Sequence, residues 1–447
     1  MEFSGCNILS RIKDSEKFFI LNSLYGLADI IDNETYNDLL DRNLSGQELI
    51  SRGYIVDPDS EKIEFRKAYL RFIDERERDE IQLFFVTNYS CNFGCSYCYQ
   101  ADYNTGGSLN EAVIDSFYEY VDLVFGRHQK YITLFGGEPL LPGKRHMALI
   151  ERIIEKAADR CIDIAVVTNG YHVTEYIDLL KKASIREVQV TFDGIRDVHD
   201  KRRYLKNGQG SFDRISKGVD ILLDNGIPVN LRVVVDKENI SGLPDLARYS
   251  IDRGWTKSPL LSTQLGRNYE LHECQINRER LLSRIGMYSD LYHLIRQYPH
   301  IKEFHKPAFS VARHLSDHGE LPAPLFDSCP GTKTEWAFDF TGNIYACTAT
   351  AGKKGEELGK FFPERVMYDE RIEEWTERDI LSIKECRECN LSLLCGGGCA
   401  AVAKNRNGIH NSPDCRPVRD LLELGISVYF QDELNENQNI ARQEDGG

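Results

Sequence analysis

From residue 81 the chain alternates short apolar runs with stretches of helical period. IQLFFVT (81–87) is almost continuously apolar, the pattern of a strand buried on both faces. SLNEAVIDSFYEYVDLVF (108–125) follows with helical spacing, and Ser108 with Glu111 forms a capping-box signature. YITLF (131–135), a helix near 146–158, IDIAVV (162–167), a helix near 174–183 and EVQVTF (187–192) continue the series. A helix near 212–224, NLRVVVD (230–236), a helix near 243–252 and a strand around 259–265 complete it. Six βα units predict an α/β fold with an all-parallel sheet covered by helices. Eight units close a full barrel, so six leave a partial barrel or an open sheet.

Residues 1–78 read as a small α+β unit. FFILNSLYGLADII (18–31) predicts two strands around a turn, NETYNDLL (33–40) a helix begun by Asn33, and 45–52 a second helix. FIDERERDE (72–80) reads as a solvated connector. The barrel region is placed at 79–270, a helical linker at 271–328, and a region of few long periodic segments, held together by metal, at 329–430. The polar end, 431–447, is expected to be disordered.

A chain of 447 residues is long enough for two or three domains. No apolar run approaches the roughly 18 residues of a membrane span, and the first residues lack the pattern of a secretory signal. A net charge of −15 argues against a nucleic-acid partner. The expectation is a cytoplasmic protein with no membrane partner. Thirteen cysteines in such a chain point to metal or redox chemistry rather than to disulfides. Cys6, Cys161 and Cys274 stand apart and read as small packed or incidental thiols.

The other ten form two groups. CNFGCSYCYQ (91–100) puts Cys91, Cys95 and Cys98 on the loop after the first barrel strand, at the end where parallel βα folds gather their active sites. Three thiolates there hold three corners of a [4Fe–4S] cube and leave one iron open, or make half of a zinc site completed from elsewhere. FGGEP (135–139) ends the second strand, with glycines that permit close approach and free their NH and CO groups for another molecule, or that make a tight turn. TNG (168–170), VTFDG (190–194) and VHDKRRY (198–204) lie at the same end.

C-x3-C-x2-C with an aromatic before its third cysteine (Tyr97), followed by GGEP, resembles the radical S-adenosylmethionine (SAM) superfamily over roughly residues 81–265. The resemblance implies a partial (βα)6 TIM-like barrel with a cluster on Cys91, Cys95 and Cys98. It further implies SAM bound at the open iron and cleaved to a 5′-deoxyadenosyl radical. By position, the backbone of Gly136, Gly137 and Glu138 would meet the methionine amino group and Thr191 the ribose. Arg203, in H-D-x-x-R, would meet the carboxylate, with Arg232 its competitor.

Cys329, Gly342, Cys347, Cys386, Cys389, Cys395, Cys399 and Cys415 could hold a zinc knuckle within them, but the whole set resembles the SPASM domain of peptide-modifying radical enzymes. That implies two auxiliary [4Fe–4S] clusters, three in all. One takes Cys386, Cys389, Cys395 and Cys415. The other takes Cys329, Cys347, Cys399 and a fourth ligand, where relatives can have a cysteine and this chain has Glu335. Either Glu335 or another group such as Cys274 fills that place, or an iron stays open for a substrate thiolate. Sulfatase-maturing relatives carry aspartate after the second of the seven cysteines; here it is Thr348.

The expected function is modification of a ribosomally made precursor peptide by a thioether crosslink from cysteine sulfur to carbon. Carbon–carbon crosslinking and formylglycine formation are the alternatives, and a non-catalytic iron–sulfur or zinc protein is the alternative of another class. The N-terminal unit would capture a leader peptide as an added strand. A small donor such as flavodoxin or ferredoxin would supply electrons.

Overall fold

The computed structural model describes the whole chain except residues 42–46, 102, 104–106, 269–277 and 435–447. The disorder expected of the tail, and Cys274, therefore fall almost wholly or wholly outside the described residues. At the N-terminus, β1 (Glu2–Phe3) precedes three strands, β2 (Asn7–Arg11), β3 (Phe18–Asn22) and β4 (Leu27–Ile31), which form an antiparallel sheet in that order. Helices α1 (Asn33–Leu40) and α2 (Gln47–Ser51) follow, β5 (Ile55–Val56) returns to pair with β1, and α3 (Pro58–Arg76) closes the unit.

Two expectations are corrected here. Asp32, not Asn33, caps α1, because its side chain accepts from the Thr35 amide. The charged stretch expected as a connector from 72 is helical through Arg76. Asp57 caps that helix and Pro58 opens it, both ordinary start signals. Phe65, Tyr69 and Phe72, at i, i+4 and i+7, place their rings 5.2, 5.2 and 5.6 Å from Phe326. Three aromatics on one face anchor a helix whose other face is charged, so composition alone misread it.

The barrel alternates β6 (Ile81–Asn88), α4 (Glu111–Val124), β7 (Lys130–Gly136), α5 (Lys144–Ala158), β8 (Asp163–Thr168), α6 (Ile177–Leu180) and β9 (Ile185–Thr191). It continues with α7 (Arg196–Arg202), α8 (Phe212–Asp224), β10 (Val229–Val235), α9 (Leu243–Asp252) and β11 (Leu261–Arg267). All six strands are parallel and adjacent in chain order, the partial-barrel arrangement. Along β10, Val229, Leu231, Val233 and Val235 are buried, whereas Asn230, Arg232 and Val234 on the alternate face are half-buried. That period of two sets a helix-covered face against an inner face. One cap differs from expectation: Asn110 accepts from the Val113 amide, so α4 starts later than a Ser108 cap would give.

Helices α10 (Arg284–Gln297), α11 (Ile301–Phe304) and α12 (Ala312–His318) lead to β12 (Glu335–Asp339). The pattern along the chain gave no sign that β12 would join the barrel sheet. It lies parallel beside β6, with Glu335 in register with Gln82. β13 (Asn343–Tyr345), β14 (Gly359–Lys360) and β15 (Val366–Met367) extend the same sheet antiparallel. Helices α13 (Asp369–Thr376), α14 (Ser392–Cys395), α15 (Ala400–Asn407) and α16 (Val418–Tyr429) complete the chain. Among the described residues no helix is long and apolar enough to cross a membrane.

Candidate active site

The first thiol group sits on the loop after β6. Cys91 lies within electrostatic reach of Cys95 and Cys98, and burial, then the Glu138 carboxyl, pushes its thiol up to about 12. Two backbone segments clamp this loop. On one side the Gly137 amide donates to Asn88 O at 2.9 Å and the Glu138 amide to Ser90 O at 2.9 Å. On the other, the Gly94 amide donates to Tyr204 O, Ser96 to Arg202 O and Lys206 to Asn92 O, at 2.9, 3.1 and 3.0 Å. Phe93 and Leu205 form an antiparallel bridge between the same two stretches.

The GGEP glycines thus serve the loop first. A Cβ on Gly136 would stand 2.2 Å from Asn88 O, and one on Gly137 2.3 Å from Ser90 O. The amide groups read as free for another molecule are in part occupied, and the tight packing is internal. The Glu138 carboxylate, 1% exposed, accepts from the Leu140 and Asn169 amides and the Thr168 hydroxyl. It ties the end of β7 to the end of β8. Gly137→Ala is expected to displace the cysteine loop, cost about 1–3 kcal/mol of stability and lower iron content after reconstitution. Thermal unfolding and iron assay check both.

In VHDKRRY, His199 is a structural group. Its Nδ1 accepts from the Asp193 amide, its Nε2 meets the Ser211 hydroxyl, and burial, then Arg203, drives its pKa down to about 3. Asp200 accepts from the Ser211 and Phe212 amides at the start of α8. Arg203 is buried and donates to the Tyr97 hydroxyl at 2.7 Å, and that hydroxyl donates to Asp193 at 2.6 Å. Asp193 and Asp236 also hold Arg202, and Arg280 joins Asp236 to Ser96 of the loop. Sequence reasoning did not single out Asp193, Asp236 or Arg280; their sole signal was Asp193 in VTFDG.

Thr191 and Arg232 are in register on β9 and β10, so the structure brings them together. The Arg232 guanidinium lies over Gly266, whose Cβ would be 3.3 Å away, and makes no ion pair among the described residues. Arg203 instead lies against the thiol loop, within electrostatic reach of Cys95.

The C-terminal thiols divide in two. Cys347 is within electrostatic reach of Glu335, Cys329 and Cys399, and Cys386 of Cys395, Cys389 and Cys415. Among the described residues no three His, Cys, Asp or Glu side chains converge on a single metal ion. Glu335 is held by burial at a pKa of about 7, and its carboxylate accepts from the Thr348 amide at 3.2 Å. Gly398 packs its α-carbon against Asp414, where a Cβ would stand 2.1 Å from the carbonyl, bringing the Cys399 and Cys415 segments together. Cys6 is half-buried and Cys161 exposed, each outside these groups.

Thiols grouped in this way, from buried Cys329, Cys386 and Cys395 to exposed Cys389 and Cys415, suit iron, because a coordinating thiol is deprotonated outright by the metal's charge. The inner face, where half-buried Arg232 has no ion pair among the described residues, suits an anionic group.

Residues 85–249 match the Radical SAM superfamily model, and the chain carries a radical SAM domain. Over 383 residues it is 24% identical to a serine-type anaerobic sulfatase-maturating enzyme of Bacteroides thetaiotaomicron, covering 76% of this chain and 86% of that protein. The structure of native anSMEcpe with bound AdoMet and Cp18Cys peptide superposes with a TM-score of 0.58 at 16% identity, covering 82% of this chain and all of that one. Streptococcus suis SuiB bound to precursor peptide SuiA gives a TM-score of 0.54 at 12% identity, covering 93% and 99%. At these identities the structural likeness is one of fold. The chain shares the fold of these structures, with the partial barrel as expected.

Proposed function

We propose that this chain is a radical SAM enzyme that modifies a ribosomally made peptide, joining a cysteine sulfur to an acceptor carbon. One observation carries the reading: three separate thiol groups, the first at the C-terminal end of β6 and the second beside Glu335 on the neighbouring β12. Cys91, Cys95 and Cys98 would hold the SAM-binding [4Fe–4S] cluster. Cys329, Cys347 and Cys399 with Glu335, and Cys386, Cys389, Cys395 and Cys415, would hold two auxiliary clusters. When bound, the cluster and SAM supply a 5′-deoxyadenosyl radical for hydrogen abstraction.

The chain's own residues bind and orient. An ammonium donates, so the methionine amino group meets carbonyl oxygens of the Gly136–Glu138 turn. Arg232, already on the open face, takes the carboxylate, and Thr191 beside it takes a ribose hydroxyl. The Tyr97 hydroxyl ties the loop to Asp193 and Arg203, with the Arg202 guanidinium 5.0 Å from the centre of its ring. The relatives with bound peptides support a peptide substrate. A small low-potential protein such as a flavodoxin or ferredoxin supplies the electron.

The N-terminal sheet supports leader capture: among the described residues β4 pairs only with β3 and is half-buried along its length. A peptide strand added to β4 would satisfy its outer backbone groups. Amide exchange across 27–31 is expected to slow when the precursor peptide is added, and unchanged exchange there would remove the leader assignment.

A second reading, oxidation of a protein side chain as in the sulfatase-maturating relative, is favoured by one observation. Thr348 stands where an aspartate was sought, yet the Glu335 carboxylate lies against its amide. Mass analysis of the precursor after anaerobic turnover decides. Loss of two hydrogens with one cysteine no longer alkylatable is the thioether outcome, and an aldehyde on a sulfatase peptide is the other.

A further inference from the structure

Arg203 is the fully charged group closest in character to a cofactor ligand in the sequence, and its surroundings give it a different task. It is 7% exposed, and no carboxylate forms an ion pair with it among the described residues. Its Nε has no acceptor among them. Its hydrogen-bond partner is a neutral phenol, Tyr97, whose own hydroxyl carries the contact on to Asp193. Its guanidinium carbon lies 5.7 Å from the centre of the Phe93 ring, within the cysteine loop. A buried guanidinium without an anion costs several kcal/mol and does not persist uncompensated. Asp193 reaches it only through Tyr97, and Cys95, on the loop segment paired with 202–206, is a further group there able to carry negative charge.

The backbone explains why the arginine is there. Residues 202–206 bond to residues 92–96 on both sides of Cys95, so Arg203 and that cysteine are placed by one pair of paired segments. The Asp193–Tyr97 link fixes the guanidinium from the far side. Arg232 remains on the inner face for a cofactor carboxylate.

We propose that Arg203 is a positioning and charge-setting residue for the thiolate loop: it acts through Cys95 to stabilise the reduced cluster, rather than by binding the cofactor carboxylate. The inference rests on the proposed cluster at Cys91, Cys95 and Cys98. A fixed positive charge beside a cluster favours the state with one more electron and so raises its reduction potential.

The test uses the reconstituted full-length holoenzyme and its Arg203→Gln, Arg203→Lys and Tyr97→Phe variants. The midpoint potential is followed by electron paramagnetic resonance on the signal that SAM perturbs, which separates this cluster from the auxiliary ones. SAM affinity is measured in parallel. Arg203→Gln is expected to lower the potential by a tenfold change in the oxidised-to-reduced ratio, about 59 mV for one electron, with SAM affinity changed less than about threefold. Arg203→Lys, which keeps the charge, restores most of that shift, and Tyr97→Phe gives a smaller downward shift of the same sign. If Arg203→Gln does not fold, the Lys and Phe variants carry the test. An unmoved potential with SAM binding weakened tenfold or more in Arg203→Gln, or a potential unmoved in Tyr97→Phe when that variant stands alone, overturns the proposal. A wild-type protein with no SAM-responsive signal would instead remove the functional reading beneath it.

Discussion

Alanine at Cys91, Cys95 or Cys98 is expected to abolish SAM cleavage, with a loss of roughly 10⁴-fold or more, as for groups that act as one unit. In the proposed cluster each of the three thiols is one corner of a single site, so the three losses should be alike rather than graded. The arrangement makes the prediction specific. The loop is clamped by backbone bonds from the β7 end and from 202–206, and these do not involve the cysteine side chains. The variants should therefore fold, keep the auxiliary iron and fail at the first chemical step. 5′-Deoxyadenosine measured after dithionite reduction checks this, and cleavage retained in any one variant would reject that residue as a ligand.

The second large effect concerns Glu335. In the structure it opens β12 beside Cys347, half-buried and bonded to the Thr348 amide. If the iron beside it is exchangeable toward a substrate thiol, a permanent thiolate at this place blocks it. Glu335→Cys is expected to suppress crosslinked product about 100-fold, at the upper end of effects seen around metal ligands. Cofactor cleavage should change only a few-fold, because among the described residues the Glu335 carboxylate bonds the Thr348 amide and not the first thiol loop. Crosslinking unchanged in this variant contradicts an exchangeable position. Comparable loss of cleavage would mean that the substitution damages the barrel as a whole.

How much of this could be read from the chain depends on the range of the interactions. The six barrel strands are local patterns of apolar spacing and appear within two residues of the expected positions, and their helices within about three. The thiol spacing is equally local for Cys91, Cys95 and Cys98. The failures are long-range. α3 hid in a charged stretch because Phe65, Tyr69 and Phe72 find their partner, Phe326, some 250 residues later. β12 was invisible because a five-residue strand between cysteines becomes recognisable only beside β6.

The site shows the same divide. GGEP and H-D-x-x-R stood out as motifs, but the chain alone did not show that both hold the cysteine loop. A Cβ on Gly137 meets a carbonyl from β6's end, and Arg203 meets Tyr97 from the loop itself. Of the charge network at the loop, Asp236 and Arg280 have no short-range signature, and Asp193 only its place in VTFDG. Their meaning comes from strands that are adjacent in the sheet and distant in the sequence.

The central claim is that this chain binds three iron–sulfur clusters and uses one of them to cleave SAM. Anaerobic reconstitution of the full chain, with iron and sulfide assayed before and after incubation with dithionite and SAM, tests it most directly. The account predicts about twelve iron atoms per chain, four for each of three clusters, and 5′-deoxyadenosine formed in step with methionine. About four iron atoms, tightly bound zinc in place of iron, or reduced protein that leaves SAM intact would contradict it.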